Sequence, residues 1–221
     1  MGRATFDKNL AELKDDVLCL GSMAEKAIDQ SIEALKKRDL ALAQQVINND
    51  KAINIKRFEI EEKAINLMAT QQPMARDLRT IIAILSIIYE IERIADHAEG
   101  IGKIVLLIGD EPPIKPLIDL PRMAQKANSM LRRSLTSFVE RDVETARAIC
   151  SEDDEVDGLN DQVYRELLLF MIQDPKTITQ ATRLIWVGYN LERIADRVTN
   201  ICERAIFMVT GKYEELNISK Y

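Results

Sequence analysis

The stretch Tyr89-Glu-Ile-Glu-Arg-Ile-Ala-Asp96 returns as Tyr189-Asn-Leu-Glu-Arg-Ile-Ala-Asp196, a shift of 100 residues. Met23-Ala-Glu-Lys-Ala27 aligns with Met123-Ala-Gln-Lys-Ala127 at the same shift. Arg38-Asp39 matches Arg141-Asp142 with a small gap, and Asp50 and Ile53 match Asp153 and Val156. Ordered matches at nearly constant offset are the mark of an internal duplication. Between the copies, Gly109 to Pro121 holds four of the six prolines. Clustered Pro and Gly cannot continue a helix, so this segment reads as a connection. The division expected is a first unit over 1–110, a Pro-rich linker over 111–121 and a second unit over 122–221.

Within each copy apolar residues recur at helical spacing. In the first they run from Leu10 to Leu35, from Leu42 to Met68 and from Leu78 to Ile108, with turns at Arg38-Asp39 and Gln71-Gln72-Pro73. In the second they run from about Leu117 to Val139, Val143 to Ile172 and Lys176 to Val209, with a turn at Asp174-Pro175. Thirty helical residues span roughly 45 Å. The fold expected is all-α: two tandem three-helix bundles, six long antiparallel helices in all. Composition agrees. Of 221 residues 47% are hydrophobic and only 5% aromatic, with 8 Gly and 6 Pro, a mix that suits helices rather than sheets.

The same composition excludes several functions. A net charge of −6 and a pI near 5.1 disfavour a nucleic-acid binder. The longest apolar run without charge, Thr80 to Tyr89, is too short to cross a bilayer. The first residues, Met1 to Lys8, carry no apolar signal region. Cys19, Cys150 and Cys202 are odd in number and scattered, which fits a reducing cytoplasm. His97 is the single histidine, so an HExxH zinc site is impossible. Beside Asp96 on a charged stretch, it reads as a solvated surface histidine. No Gly-rich phosphate loop is present, and no catalytic residue is assigned; the chain is expected not to be an enzyme. Arg79 and Asp77 lie near a helix start and read as an ordinary first turn with solvated arginines.

The repeated motif carries the chemistry that remains. Glu92 and Asp96 are four apart, as are Glu192 and Asp196, so each pair projects from one helix face and repels itself. The core stripes read as Ile84, Ile87, Ile91, Ile94, Ala98 and Ile101, and as Leu184, Val187, Leu191, Ile194, Val198 and Ile201. The carboxylates fall at the edge of those stripes. In an antiparallel bundle, Asp50 and Asn54 face Glu92 and Asp96, and Asp153 and Asp157 face Glu192 and Asp196. Oxygen donors without His or Cys suit hard cations such as magnesium, or carboxylate-bridged iron or manganese. A solvated acidic face fits the same residues, and both readings stay open on the residues alone. Asn54 brings no charge, so charge count favours the second set.

The duplicated bundle, the twice-repeated Glu-Arg-Ile-Ala-Asp, the Asp-x-x-hydrophobic-Asp/Asn before it and Ala75-Arg-Asp-Leu-Arg79 together resemble the PhoU family. The resemblance covers Phe6 to about Gly211. It implies a cytoplasmic regulator of phosphate homeostasis, reaching the membrane only through its partners. Those are the ATPase subunit of a phosphate ABC transporter and a sensor histidine kinase, with negative regulation of phosphate uptake and of the starvation response. It further implies a homodimer and, in some members, iron or zinc clusters. By position their ligands are Asp50, Asn54, Glu92 and Asp96, and Asp153, Asp157, Glu192 and Asp196. The family usually has Gly where this chain has Ala95 and Ala195. Two other classes are a carboxylate-bridged metalloenzyme and a metal-free helical adaptor, or accessory to another phosphate carrier.

Overall fold

Arg38 and Arg141 both sit in the left-handed region, at φ 57° and 63°. Each stands just past the end of a helix, and the Asp after it sends its N–H back to a carbonyl five residues earlier. Asp39 N reaches Ala34 O at 3.0 Å and Asp142 N reaches Ser137 O at 2.9 Å. That bond closes one helix in the Schellman manner. The same Asp opens the next helix: Asp39 accepts from Leu42 N at 2.9 Å and Asp142 from Thr145 N at 3.0 Å. The two-residue sequence thus makes the same sharp reversal in both copies. A non-glycine in this region costs about 1 kcal/mol, which the paired caps offset.

The chain is described over residues 3–216, in a computed structural model. The helices are α1 (Arg3–Lys37), α2 (Leu40–Gln71), α3 (Ala75–Ile108), α4 (Asp119–Glu140), α5 (Val143–Ser151), α6 (Asp153–Gln173) and α7 (Ile178–Thr210). A 3₁₀ turn, Pro175–Thr177, precedes the last. Among the described residues there is no strand. Helices α1, α2 and α3 form one bundle; α4, the α5–α6 rod and α7 form the other. The six-rod architecture expected from the apolar spacing is present. The fifth rod is interrupted at Glu152, where Glu152 N bonds Ile149 O and Glu155 N bonds Glu152 O, a tightened turn. Lys126 and Arg133 of α4 both hold the Glu152 carboxylate there, at 2.8 and 2.6 Å. The interruption makes Asp153 the first residue of a helix, whereas its counterpart Asp50 lies inside α2.

Both predicted core stripes are buried, with Leu184 the most exposed at 3%. The bundles meet through α3 against α7 and α1 against α4. Helix α3 is therefore covered on several sides, which explains its run of buried isoleucines, Ile81, Ile84, Ile87, Ile88, Ile91 and Ile94. Each contributes about 1.5–3 kcal/mol by leaving water. Gly21 of α1 lies so near Leu135 of α4 that a Cβ there would clash. The buried Gln180 side chain helps tie down the segment between α3 and α4. Gln180 accepts from Ile114 N at 2.7 Å and donates to Pro112 O at 3.1 Å. Pro121 falls inside the first turn of α4, where its missing N–H has no partner to lose.

Candidate functional site

The first half of α2 brings Asp50 and Asn54 against the middle of α3. Asn54 Nδ2 donates to Asp50 Oδ2 at 2.9 Å. The other oxygens, Asp50 Oδ1 and Asn54 Oδ1, are buried without a hydrogen-bond partner. Burial and the nearby charges of Asp96, Glu99 and Glu92 push the Asp50 carboxyl up to about 6, against a partial pull from Lys103. Burial and Asp96 raise Glu92 as well, and burial and Glu99 raise Asp96. Partial desolvation and mutual repulsion act together in each case. Glu99 was not among the predicted donors. The signal was present, since Glu92, Asp96 and Glu99 occur at i, i+4 and i+7 and so share one face. Arg57 also lies close, its Nε 3.7 Å from Glu92 Oε1, although its short ion pair is to Glu61 at 2.7 Å.

The second bundle repeats the placement with different neighbours. Asp157 is close enough to Glu192 to raise its carboxyl, behind burial as the larger cause and against the pull of Arg193. Asp153 is 3% exposed and has a buried Oδ1. Its position at the start of α6 places it in the favourable field of the helix dipole, which Asp50 lacks. Arg193 answers the acidic pair directly, at 3.1 Å from Glu192 Oε1 and 2.8 Å from Asp196 Oδ2. Asn160, the counterpart of Arg57, donates to Glu192. It reaches in because residue 188 is glycine; a Cβ there would stand 2.5 Å from Asn160 Oδ1.

Charge count alone favours the second set, but the contacts add a cation that the count leaves out. Arg193 pairs with two carboxylates of the second set, whereas in the first Arg57 reaches only Glu92, at 3.7 Å, and Arg93 makes no ion pair among the described residues. Among the described residues no three His, Cys, Asp or Glu side chains converge as a metal would require. The first set fits a hard cation by its chemistry, with two buried oxygens lacking donors and three further carboxylates beside them. Closing on an ion needs side-chain rotation.

His97 is not the solvated surface residue expected. It is half-buried between the bundles, its Nδ1 3.0 Å from Asn190 Oδ1. Burial, the larger cause, lowers its basicity. The duplication supplies a related junction at the neighbouring crossing of α3 and α7. There Glu90 accepts from Asn200 at 3.1 Å and lies 3.6 Å from Arg197. Glu90, Arg197 and Asn200 correspond to Asn190, His97 and Gly100, so one junction is charged and the other is not. The packing of one bundle on the other decides this, and single-helix periodicity carries no trace of it. No helix among the described residues is long and apolar enough to cross a membrane.

A duplicated six-rod helical protein with an acidic cluster at matching places in both bundles is the class that fold and site define. The PhoU domain model matches residues 17–105 and again 120–205. The chain therefore belongs to the PhoU family. A protein of Clostridium acetobutylicum described as "Phosphate-specific transport system accessory protein PhoU homolog" is 40% identical over 218 residues, 98% of this chain and 100% of that protein. One of Aquifex aeolicus with the same description is 37% identical, with 93% of each chain covered. The crystal structure of PhoU from Pseudomonas aeruginosa superposes with a TM-score of 0.88 at 30% identity, covering 94% of this chain and all of that one. The phosphate transport system regulatory protein PhoU from Streptococcus pneumoniae also gives 0.88, at 31% identity, with 96% of this chain and all of that one covered.

Proposed function

We propose that the protein is a non-enzymatic regulator of phosphate homeostasis in the cytoplasm. It restrains phosphate uptake and the starvation response by linking the ATPase subunit of a phosphate ABC transporter to a sensor histidine kinase. The observation that carries this reading is full-length similarity, at 40% identity, to a protein described as a phosphate-specific transport system accessory protein. Long rigid rods with exposed aromatic residues, such as Trp186 and Tyr189 on α7, suit work by contact. Self-association into a homodimer belongs to the same reading. The test is radiolabelled phosphate uptake by phosphate-replete cells with and without the gene. Uptake that stays high only in the deletion supports it; unchanged uptake counts against it.

A carboxylate-bound metal is part of the proposal. Asp50, Asn54, Glu92 and Asp96 would hold a cation in the first bundle, and Asp153, Asp157, Glu192 and Asp196 in the second. The unsatisfied Asp50 Oδ1 and Asn54 Oδ1 favour the first. A bound magnesium, manganese, iron or zinc ion would supply positive charge that the cluster lacks, tightening α2 on α3. Elemental analysis of protein purified without chelator tests this; metal lost from Asp50→Asn and Asp96→Asn supports it, and metal-free wild-type protein opposes it.

A further inference from the structure

At the pole where α1 and α3 begin and α7 ends, cationic side chains from three separate segments meet. They are Arg3 and Lys14 of α1, Arg76 and Arg79 of α3, and Arg141 of the α4–α5 turn. Arg141 Nη2 lies 3.5 Å from Met208 O, near the end of α7. The Arg79 guanidinium lies 3.7 Å from where a Cβ on Gly211 would stand. Arg76 and Arg3 flank Asp77 at 3.9 and 2.8 Å. Asp77 is 7% exposed and is taken up by Arg3, which also holds Asp7.

The remaining charge is answered inside the fold only by Asp77, whose close ion pairs are with Arg3 and Arg76. Among the described residues no carboxylate lies within ion-pair distance of Lys14, Arg79 or Arg141, and Arg79 Nε is buried without a hydrogen-bond partner. Burial, then Arg76 and Arg79, depresses Arg141, and burial, then Arg141, depresses Lys14, each against a smaller pull from Asp77. Repelling cations gathered at one half-buried place cost stability. The bond to Met208 O near the end of α7 accounts for Arg141 in part, but not for Lys14, Arg76 or the Arg79 Nε.

The duplication provides an internal comparison. At the opposite pole Arg76, Asp77 and Arg79 become Lys176, Thr177 and Thr179, and Arg141 becomes Arg38. Arg38 there donates to Asp110 O at 3.4 Å. The same helix ends are thus built without the cluster, so the fold does not require it.

We propose that this pole is an oxyanion site that takes a phosphate group, held by Arg79, Arg141 and Lys14, with Arg76 at its mouth. Guanidinium forks match tetrahedral oxygens, and the first amides of α3 add their dipole. The ligand is inorganic phosphate or a phosphomonoester. The site is separate from the acidic cluster and does not depend on the regulatory reading, which uptake assays test by themselves.

The experiment is calorimetric titration of the full chain with inorganic phosphate and, in a parallel arm, glycerol 3-phosphate, together with melting curves in phosphate-free buffer. Wild type is expected to saturate at one equivalent with at least one of the two probes, and the arm that saturates at lower concentration names the source. The R79Q/R141Q double variant should bind at least roughly tenfold more weakly. It should melt no lower than wild type without ligand, because it sheds repulsion. Exposed Arg76→Gln, which threatens folding least, should also weaken binding, and Lys176→Gln at the other pole should leave it unchanged. No saturable binding of either probe overturns the proposal. So does undiminished binding by R79Q/R141Q and R76Q, or weakening by K176Q as large as by R76Q.

Discussion

Replacing Asp50 by Asn should stabilise the metal-free protein at neutral pH. The Asp50 carboxyl is raised from 3.8 to about 6 by burial and by Asp96, Glu99 and Glu92. That difference corresponds to about 3 kcal/mol between protonation states. The side chain is only partly buried, so solvent screening reduces the figure to about 1 kcal/mol. The native state favours the protonated acid. Asp50 therefore costs nothing below pH 3.8, where both states are protonated, and its penalty grows as pH rises toward 6. The amide introduced by Asp50→Asn carries no charge and still accepts from Asn54, so its advantage should be absent at pH 4 and complete by pH 7. Melting temperature in chelator should rise by roughly 2–4 °C at pH 7. A variant that melts lower than wild type at pH 7, or whose gain persists at pH 4, would refute repulsion as the cause.

Other perturbations read the second bundle and the connection. Arg193→Gln removes the cation that bridges Glu192 and Asp196 and should lower stability by about 1 kcal/mol, an effect that shrinks in high salt; chemical denaturation at two ionic strengths checks it. Gly188→Ala pushes Asn160 off Glu192 and should cost about 1 kcal/mol, whereas Gly158→Ala, where a Cβ meets open space, should not. Gln180→Ala frees Ile114 N and Pro112 O, so limited proteolysis between residues 109 and 118 should quicken. Magnesium or manganese should raise the melting temperature of wild type but not of Asp50→Asn.

The duplication was legible because Glu-Arg-Ile-Ala-Asp recurs at constant offset and because the Arg-Asp turn uses the same cap twice. The stripe from Ile84 to Ile101 was legible because a helix that buries one face must space its apolar residues by three and four. Glu99 could have been read from the same periodicity. Three features were not legible. The interruption at Glu152 depends on Lys126 and Arg133 reaching across from α4. The place of His97 depends on how α3 crosses α7. The difference between the two acidic sets depends on Arg193 turning toward its pair while Arg93 does not. Each is set by contact between elements, which local patterns do not encode.

Alkaline phosphatase activity in phosphate-rich medium, with and without the gene, tests the regulatory role most directly. High activity in the deletion, returned to low by the wild-type gene, is the result expected of a negative regulator of phosphate starvation. Activity unchanged by deletion, in a strain that mounts that response when phosphate is withdrawn, would contradict it.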